Sequence, residues 1–260
     1  MKEQQNPISI EDAYFKGLSE SPNDNLYVDG IRELSLLSKE ERLSTFKNLL
    51  DKTDLYKIDK RKSSNRVKKA WEVIDNFFLS KAPELLREKI TPLVYGSIIF
   101  DDPRNLDYDL LLLSNSQRDI NKTVDNWDLE LSNKWEEVSN GGGHFSYLAL
   151  DTLQMNCNIV NSNMVEYAQK YAEMIDFDFI NVSITFTGVL VNQNDKRFIE
   201  INKQLPKVQE RALNIANQSP ILMSTMIRNM QQMIIIRETR RNGFNNNLKS
   251  SLHSSNQKTS

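Results

Sequence analysis

The chain has 260 residues, enough for one large domain or two small ones with a buried core. Apolar residues make up 39% and charged residues 26%, which excludes an acidic disordered chain, and runs such as Leu110–Leu113 stop far short of the roughly 20 residues that span a bilayer. With 33 Lys and Arg against 35 Asp and Glu, the net charge is −2, which excludes a histone-like binder and leaves room for a local basic face.

Residues 1–30 are polar and interrupted by Pro7 and Pro22, and they read as a loose arm. Ser38-Lys-Glu-Glu41 is a capping box ahead of Leu43, Phe46, Leu49 and Leu50, which predicts a helix. The basic run DKRKSSNRVKK spans residues 59–69. It reads as a solvated face or a polyanion contact, and its serines can cap the next helix. In that helix Val67, Ala70, Trp71, Ile74, Phe77 and Phe78 form one apolar stripe.

Leu93-Val94-Tyr95 then predicts a short strand that stops at Gly96-Ser97. Leu106 to Leu113 predicts a second strand, with Asp107 and Asp109 at its start. Ile120, Val124, Trp127, Leu131 and Trp135 suggest a helix. Gly141–Gly143 reads as a turn, followed by a hairpin of residues 144–150 and 153–160 joined at Asp151-Thr152. Asn163 opens a helix to about Ile175. Residues 177–191 are ambiguous: their β-branched content favours strand and their neighbours favour helix. Residues 195–241 read as helical, with Met223, Met226, Ile227, Met230, Ile234 and Ile235 as a core stripe. Residues 242–260, rich in Asn and Ser, read as a disordered tail.

One constellation carries chemistry. On a strand, residues i and i+2 share a face, so Asp107 and Asp109 present two carboxylates together. Paired oxygen ligands select Mg²⁺ or Mn²⁺ over zinc. Gly96 leaves room for close approach to the backbone, and Ser97 adds a hydroxyl and an N–H suited to a phosphate oxygen. A cation beside a phosphate cradle is the equipment of phosphoryl or nucleotidyl transfer. Arg104 lies in the intervening loop, where it can meet a triphosphate. Asp101 and Asp102 read as loop charges and His144 as a strand start. The lone Cys157 excludes an internal disulfide and a Cys-based zinc site. The opening segment MKEQQNPISIEDAYF is polar, unlike a signal peptide. These features lead to the expectation of a cytoplasmic protein with no membrane partner.

The run YGS-IIFDDPRNL-DYDLLLL resembles the signature of the nucleotidyltransferase superfamily that includes DNA polymerase β: Gly and Gly or Ser, a spacer of similar length, then Asp-x-Asp between apolar residues. Phe186-Thr-Gly-Val-Leu190 looks like the segment that opens the helical subdomain in several members. The resemblance implies an α+β fold: a mixed sheet with flanking helices, followed by a helical C-terminal subdomain. The implied divisions are an arm over 1–30, the nucleotide-binding domain over 31–175, helices over 176–241 and a tail over 242–260. It implies an NTP held through Mg²⁺ or Mn²⁺ bound by Asp107 and Asp109, and NMP transfer to a hydroxyl of RNA, a protein or a small molecule. A third carboxylate is implied on a later strand, where this chain has Asn156 or Asn158. Three alternatives stay open. Asp151 substitutes, the site has two carboxylates, or the protein is a degenerate module that binds nucleotide, RNA or a partner. Stand-alone members of the fold also occur in toxin–antitoxin and phage-defence pairs, a link by fold analogy alone.

Overall fold

A computed structural model of the chain describes residues 8–19, 25–55, 64–100, 108–114, 126–127, 129–135, 145–151, 164–170 and 172–256. They form a mixed α and β structure in which helix predominates. Helices α1 (Ile10–Ser19), α2 (Asn25–Ser35), α3 (Lys39–Leu55) and α4 (Asn65–Glu88) precede strand β1 (Ile90–Tyr95). A 3₁₀ turn over Ser97–Phe100 leads toward β2 (Tyr108–Ser114), and β3 is Phe145–Asp151. Then come α5 (Met164–Lys170), α6 (Ala172–Thr187), the two-residue β4 (Val189–Leu190), α7 (Lys196–Asn202), α8 (Gln204–Ala216) and α9 (Pro220–Asn256). No helix among the described residues is long and apolar enough to cross a membrane.

The four strands lie in the order β3-β2-β1-β4. β1 is antiparallel to both β2 and β4, and β2 is parallel to β3. Alternation along the strands sends side chains into two separate cores, one on each face. On one face Leu93, Leu111 and Leu113 pack with α1, α2, α3, α6, α8 and α9. On the other, Ile90, Val94, Leu110 and Leu112 pack with α4, α7, the 3₁₀ turn and the helical segment 129–135. Helices therefore cover both faces of one sheet.

Local signals explain much of this. The capping box forms as the spacing predicts: Ser38 N donates to Glu41 Oε2 at 2.8 Å and Glu41 N to Ser38 Oγ at 3.2 Å. Hydrogen bonding from the Ser38 backbone N–H, and then from its hydroxyl, holds the Glu41 carboxyl below its ordinary range. Ser64 caps α4, and all six residues of its apolar stripe are buried. Lys89 ends α4 in the left-handed conformation, φ 54, and the next residue begins β1. Segment 129–135 buries Leu131 and Trp135, while Trp127 meets the Phe77 and Phe78 rings edge-on. The Lys81 ammonium reaches Glu130 at 2.5 Å.

The structure departs from the sequence reading in four places. The arm over 1–30 is helical and buried where it is described: Ala13, Tyr14, Leu18, Tyr27 and Ile31 all enter the first core. Pro7 and Pro22 themselves lie outside the described residues. Residues 172–187 are one helix, and only Val189-Leu190 pair as strand. The β-branched propensity is overridden because Val182 and Ile184 are buried against neighbouring helices. In addition, the Ser183, Thr185 and Thr187 hydroxyls bond back to the carbonyls of Phe179, Val182 and Ser183. The division expected at residue 175 falls inside α6. Lastly, α9 continues through residues 242–256 of the expected tail, since extending a formed helix avoids the cost of nucleating one. The hairpin's second strand, Gly141–Gly143, Ile120, Val124 and residues 59–63 of the basic run lie outside the described residues.

Candidate functional site

The candidate site lies where β1 ends. Strand β1 leaves the sheet at Gly96, whose φ of +73 places it in the left-handed region, where an L side chain is strained. There is no space for one either. A Cβ on Gly96 would stand 1.6 Å from Asp109 Oδ2 and 2.6 Å from Asp109 Cγ. The antiparallel register sets this up by pairing Tyr95 with Asp109. The room left by the missing side chain is therefore filled by the Asp109 carboxylate, not left open to a ligand. Ser97 begins the 3₁₀ turn immediately after, and Ile98 and Ile99 bury that turn in the second core.

Of the residues singled out in the sequence, the structure brings together Gly96, the Ser97 backbone and Asp109. Asp109 lies on β2 in phase with Leu111 and Leu113, so it belongs to the sheet face covered by α6 and α9. Asp151 is not brought to this point. It pairs with Ser114, at the other end of β2. Five residues separate Asp109 from Ser114, about 17 Å along a strand. The parallel pairing of β3 with β2 carries Asp151 away from Gly96, so as a third ligand beside Asp109 it is displaced by the length of the strand. Asp107, Arg104, Asn156, Asn158, Asp101, Asp102, His144 and Cys157 lie outside the described residues. Among the described residues no three His, Cys, Asp or Glu side chains converge as a metal site.

One residue near this point escaped the sequence reading. Arg237 of α9 is buried, 4% exposed, and its Nη2 donates to the Thr187 carbonyl. Burial lowers its pKa to about 10, so it remains charged at neutral pH. Thr187 lies two residues before Val189, and Gly96 lies two residues after Val94, the partner of Val189. Helix α9 also packs on the Ser97–Phe100 turn. The signal in the sequence was a charge in phase with an apolar stripe: Arg237 follows Met230 and Ile234 at i+7 and i+3, while Ile235, read as part of the stripe, is 53% exposed.

A separate cavity of about 360 Å³ lies at the opposite end of β1. It is lined by Leu86, Lys89, Glu200, Ile201, Gln204 and Lys207. Thr91, near that end, donates its hydroxyl to the Ile201 carbonyl at 2.5 Å. Comparison of the chain with protein-family models, curated proteins and solved structures finds no match.

Proposed function

We propose that this chain is a metal-dependent nucleotidyltransferase, moving an NMP from an NTP to a hydroxyl of RNA, a protein side chain or a small molecule. The observation that carries the reading is the Asp109 carboxylate seated against Gly96, at the turn that follows β1 and beside a strand order of mixed direction. Like that contact, the YGS and DYD segments support the nucleotidyltransferase fold. Asp109 offers the hard oxygen that Mg²⁺ or Mn²⁺ prefers, and Asp107, two residues earlier, is the second ligand in this reading. When bound, such a cation neutralises charge on the phosphate oxygens.

The chain's own part is to hold and orient. Asp107 and Asp109 fix the anionic ligand's cation, while Gly96 and Ser97 shape the turn that faces the phosphates. The acceptor oxygen forms a bond to the α-phosphorus, the bond from that phosphorus to pyrophosphate breaks, and the hydroxyl proton leaves to a base. Asn156 cannot take that proton, because an amide has no acidic or basic function near neutral pH.

A second reading is a degenerate member that binds nucleotide, RNA or a protein partner without transfer, including in a toxin–antitoxin or phage-defence pair. It is favoured by Asn156 in the sequence and by the register of Asp151, far from Asp109. Incubation with each α-labelled NTP, Mg²⁺ or Mn²⁺, and RNA or lysate acceptors separates the readings. Label transfer that disappears in Asp107→Asn/Asp109→Asn supports the enzyme. Metal-dependent NTP binding without transfer supports the nucleotide-binding form of the module, and absence of NTP binding overturns the enzyme and that form alike.

A further inference from the structure

The cavity at the end of β1 remote from Gly96 takes no part in the chemistry proposed for that turn. Its volume of about 360 Å³ is within the range of small-ligand sites. Its walls come from elements tied to one another. Helix α4 ends at Lys89 and β1 begins at Ile90. The buried Thr91 hydroxyl donates to the Ile201 carbonyl near the end of α7. Between α7 and α8, Lys203 keeps helical dihedrals, φ −59 and ψ −17. Glu200, Gln204 and Lys207 therefore follow one another at i, i+4 and i+7 on a single face. Leu86 and Ile201 supply the apolar part of the lining. The charges of that lining do not balance. Glu200 is its one carboxylate, and Lys203 Nζ already engages it. The Lys89 and Lys207 ammonium groups have no ion-pair or hydrogen-bond partner in the structure. Lys89 also holds φ 54, a backbone that favours glycine. A cation suits the C-terminal end of a helix, but Arg87 already stands in that last turn of α4. A non-glycine residue kept in this conformation at the edge of a cavity points to a use for its side chain.

We propose that this cavity binds a phosphate monoester of a small apolar or aromatic alcohol. The Lys89 and Lys207 ammonium groups hold the phosphate, Gln204 adds an amide N–H, and Leu86 and Ile201 meet the apolar body. Two ammonium groups match the double charge of a monoester whose second pKa is about 6. A carboxylate would leave one of them uncompensated. The six residues of β1, about 20 Å of strand, separate this cavity from the Gly96 turn, so the site is independent of the nucleotide reading.

The test uses the full chain without divalent cation. Phenyl phosphate is the probe, with benzoate, inorganic phosphate and phenol as comparators, and Kd is read from an NMR titration of the backbone amides. Phenyl phosphate should bind more tightly than each comparator. Lys89→Gly and Lys207→Gln should each weaken it about 3- to 5-fold, the scale of one exposed charge pair, and the double variant about 10-fold. Glycine suits the left-handed backbone at position 89, so that variant keeps the fold. Lys47→Gln, exposed on α3, changes the net charge equally and should leave Kd unchanged. The amides that shift should centre on Lys89, Gln204 and Lys207. Absence of saturable binding by the parent, or equal affinity in the parent and the double variant, overturns the proposal. Benzoate or inorganic phosphate binding as tightly as phenyl phosphate overturns it too. Shifts centred on Gly96 also overturn it and assign the probe to the nucleotide turn. Asp107→Asn/Asp109→Asn should bind phenyl phosphate as the parent does, so either site can fail while the other stands.

Discussion

Replacing Gly96 by alanine tests the contact on which the site depends. The substitution has two separable costs. A non-glycine residue at φ +73 costs about 1–2 kcal/mol in the left-handed region. The new methyl would also stand 1.6 Å from Asp109 Oδ2, so either the carboxylate rotates away or β1 and β2 separate, an overpacking cost of about 1–3 kcal/mol. In the Asp109→Ala background the carboxylate is gone and only the 3.0 Å approach to the residue 109 Cβ remains, so most of the second cost disappears. A double-mutant cycle by urea denaturation should therefore give a coupling energy of about 1–2 kcal/mol between positions 96 and 109. Gly96→Ala should also weaken Mg²⁺-dependent NTP binding, because the carboxylate has moved. Equal penalties in the two backgrounds, within about 0.5 kcal/mol, would refute the packing argument.

Tyr27→Phe removes the hydroxyl that donates to Asn229 Oδ1 at 2.6 Å in a buried setting; urea melts should show a loss of about 1–3 kcal/mol, and an unchanged midpoint would mean that α2 is not docked on α9. At low pH, Asp195 is informative. Its carboxylate accepts from the Arg197 guanidinium and backbone N–H, which bring its pKa down to about 2, so the stability it contributes is present above the unfolded value near 4 and is lost as pH falls from there toward about 2. A carboxyl ¹³C titration by NMR should place the midpoint near that low value and return it toward 4 in Arg197→Ala.

Strong local periodicity was legible in the sequence. The α4 stripe from Val67 to Phe78 and the capping box at Ser38 both stand as their spacing predicts, because each signal is contained within a few helical turns. The weaker pattern of α1 and α2 was also present: Tyr14 with Leu18 and Tyr27 with Ile31 are i, i+4 pairs. Pro7 and Pro22, read as marks of a loose arm, masked it. At the site, the spacing of Gly96-Ser97 and Asp107-x-Asp109 signalled that these residues belong together. It could not show that Asp109 would occupy the space of a Gly96 side chain, since that depends on the register between β1 and β2. The same holds for Asp151. One alternative had Asp151 stand in for the third carboxylate, whereas parallel pairing with β2 sends it to the far end. Arg237 was hidden because a lone charge on a core stripe can only be told from a surface residue once its neighbours are known.

The pairing of the two ends of the described chain has a consequence for how the protein is made. Tyr27 reaches Asn229 across 202 positions, and Tyr14 meets the Thr225 hydroxyl across 211. On the ribosome, α1 and α2 emerge before α9, the helix on which α2 packs. At roughly 5–20 residues per second, they wait on the order of 10–40 s for α9. During that interval the face of α2 that packs on α9 lacks that partner, so the nascent chain presents a natural client surface to holding chaperones until α9 emerges.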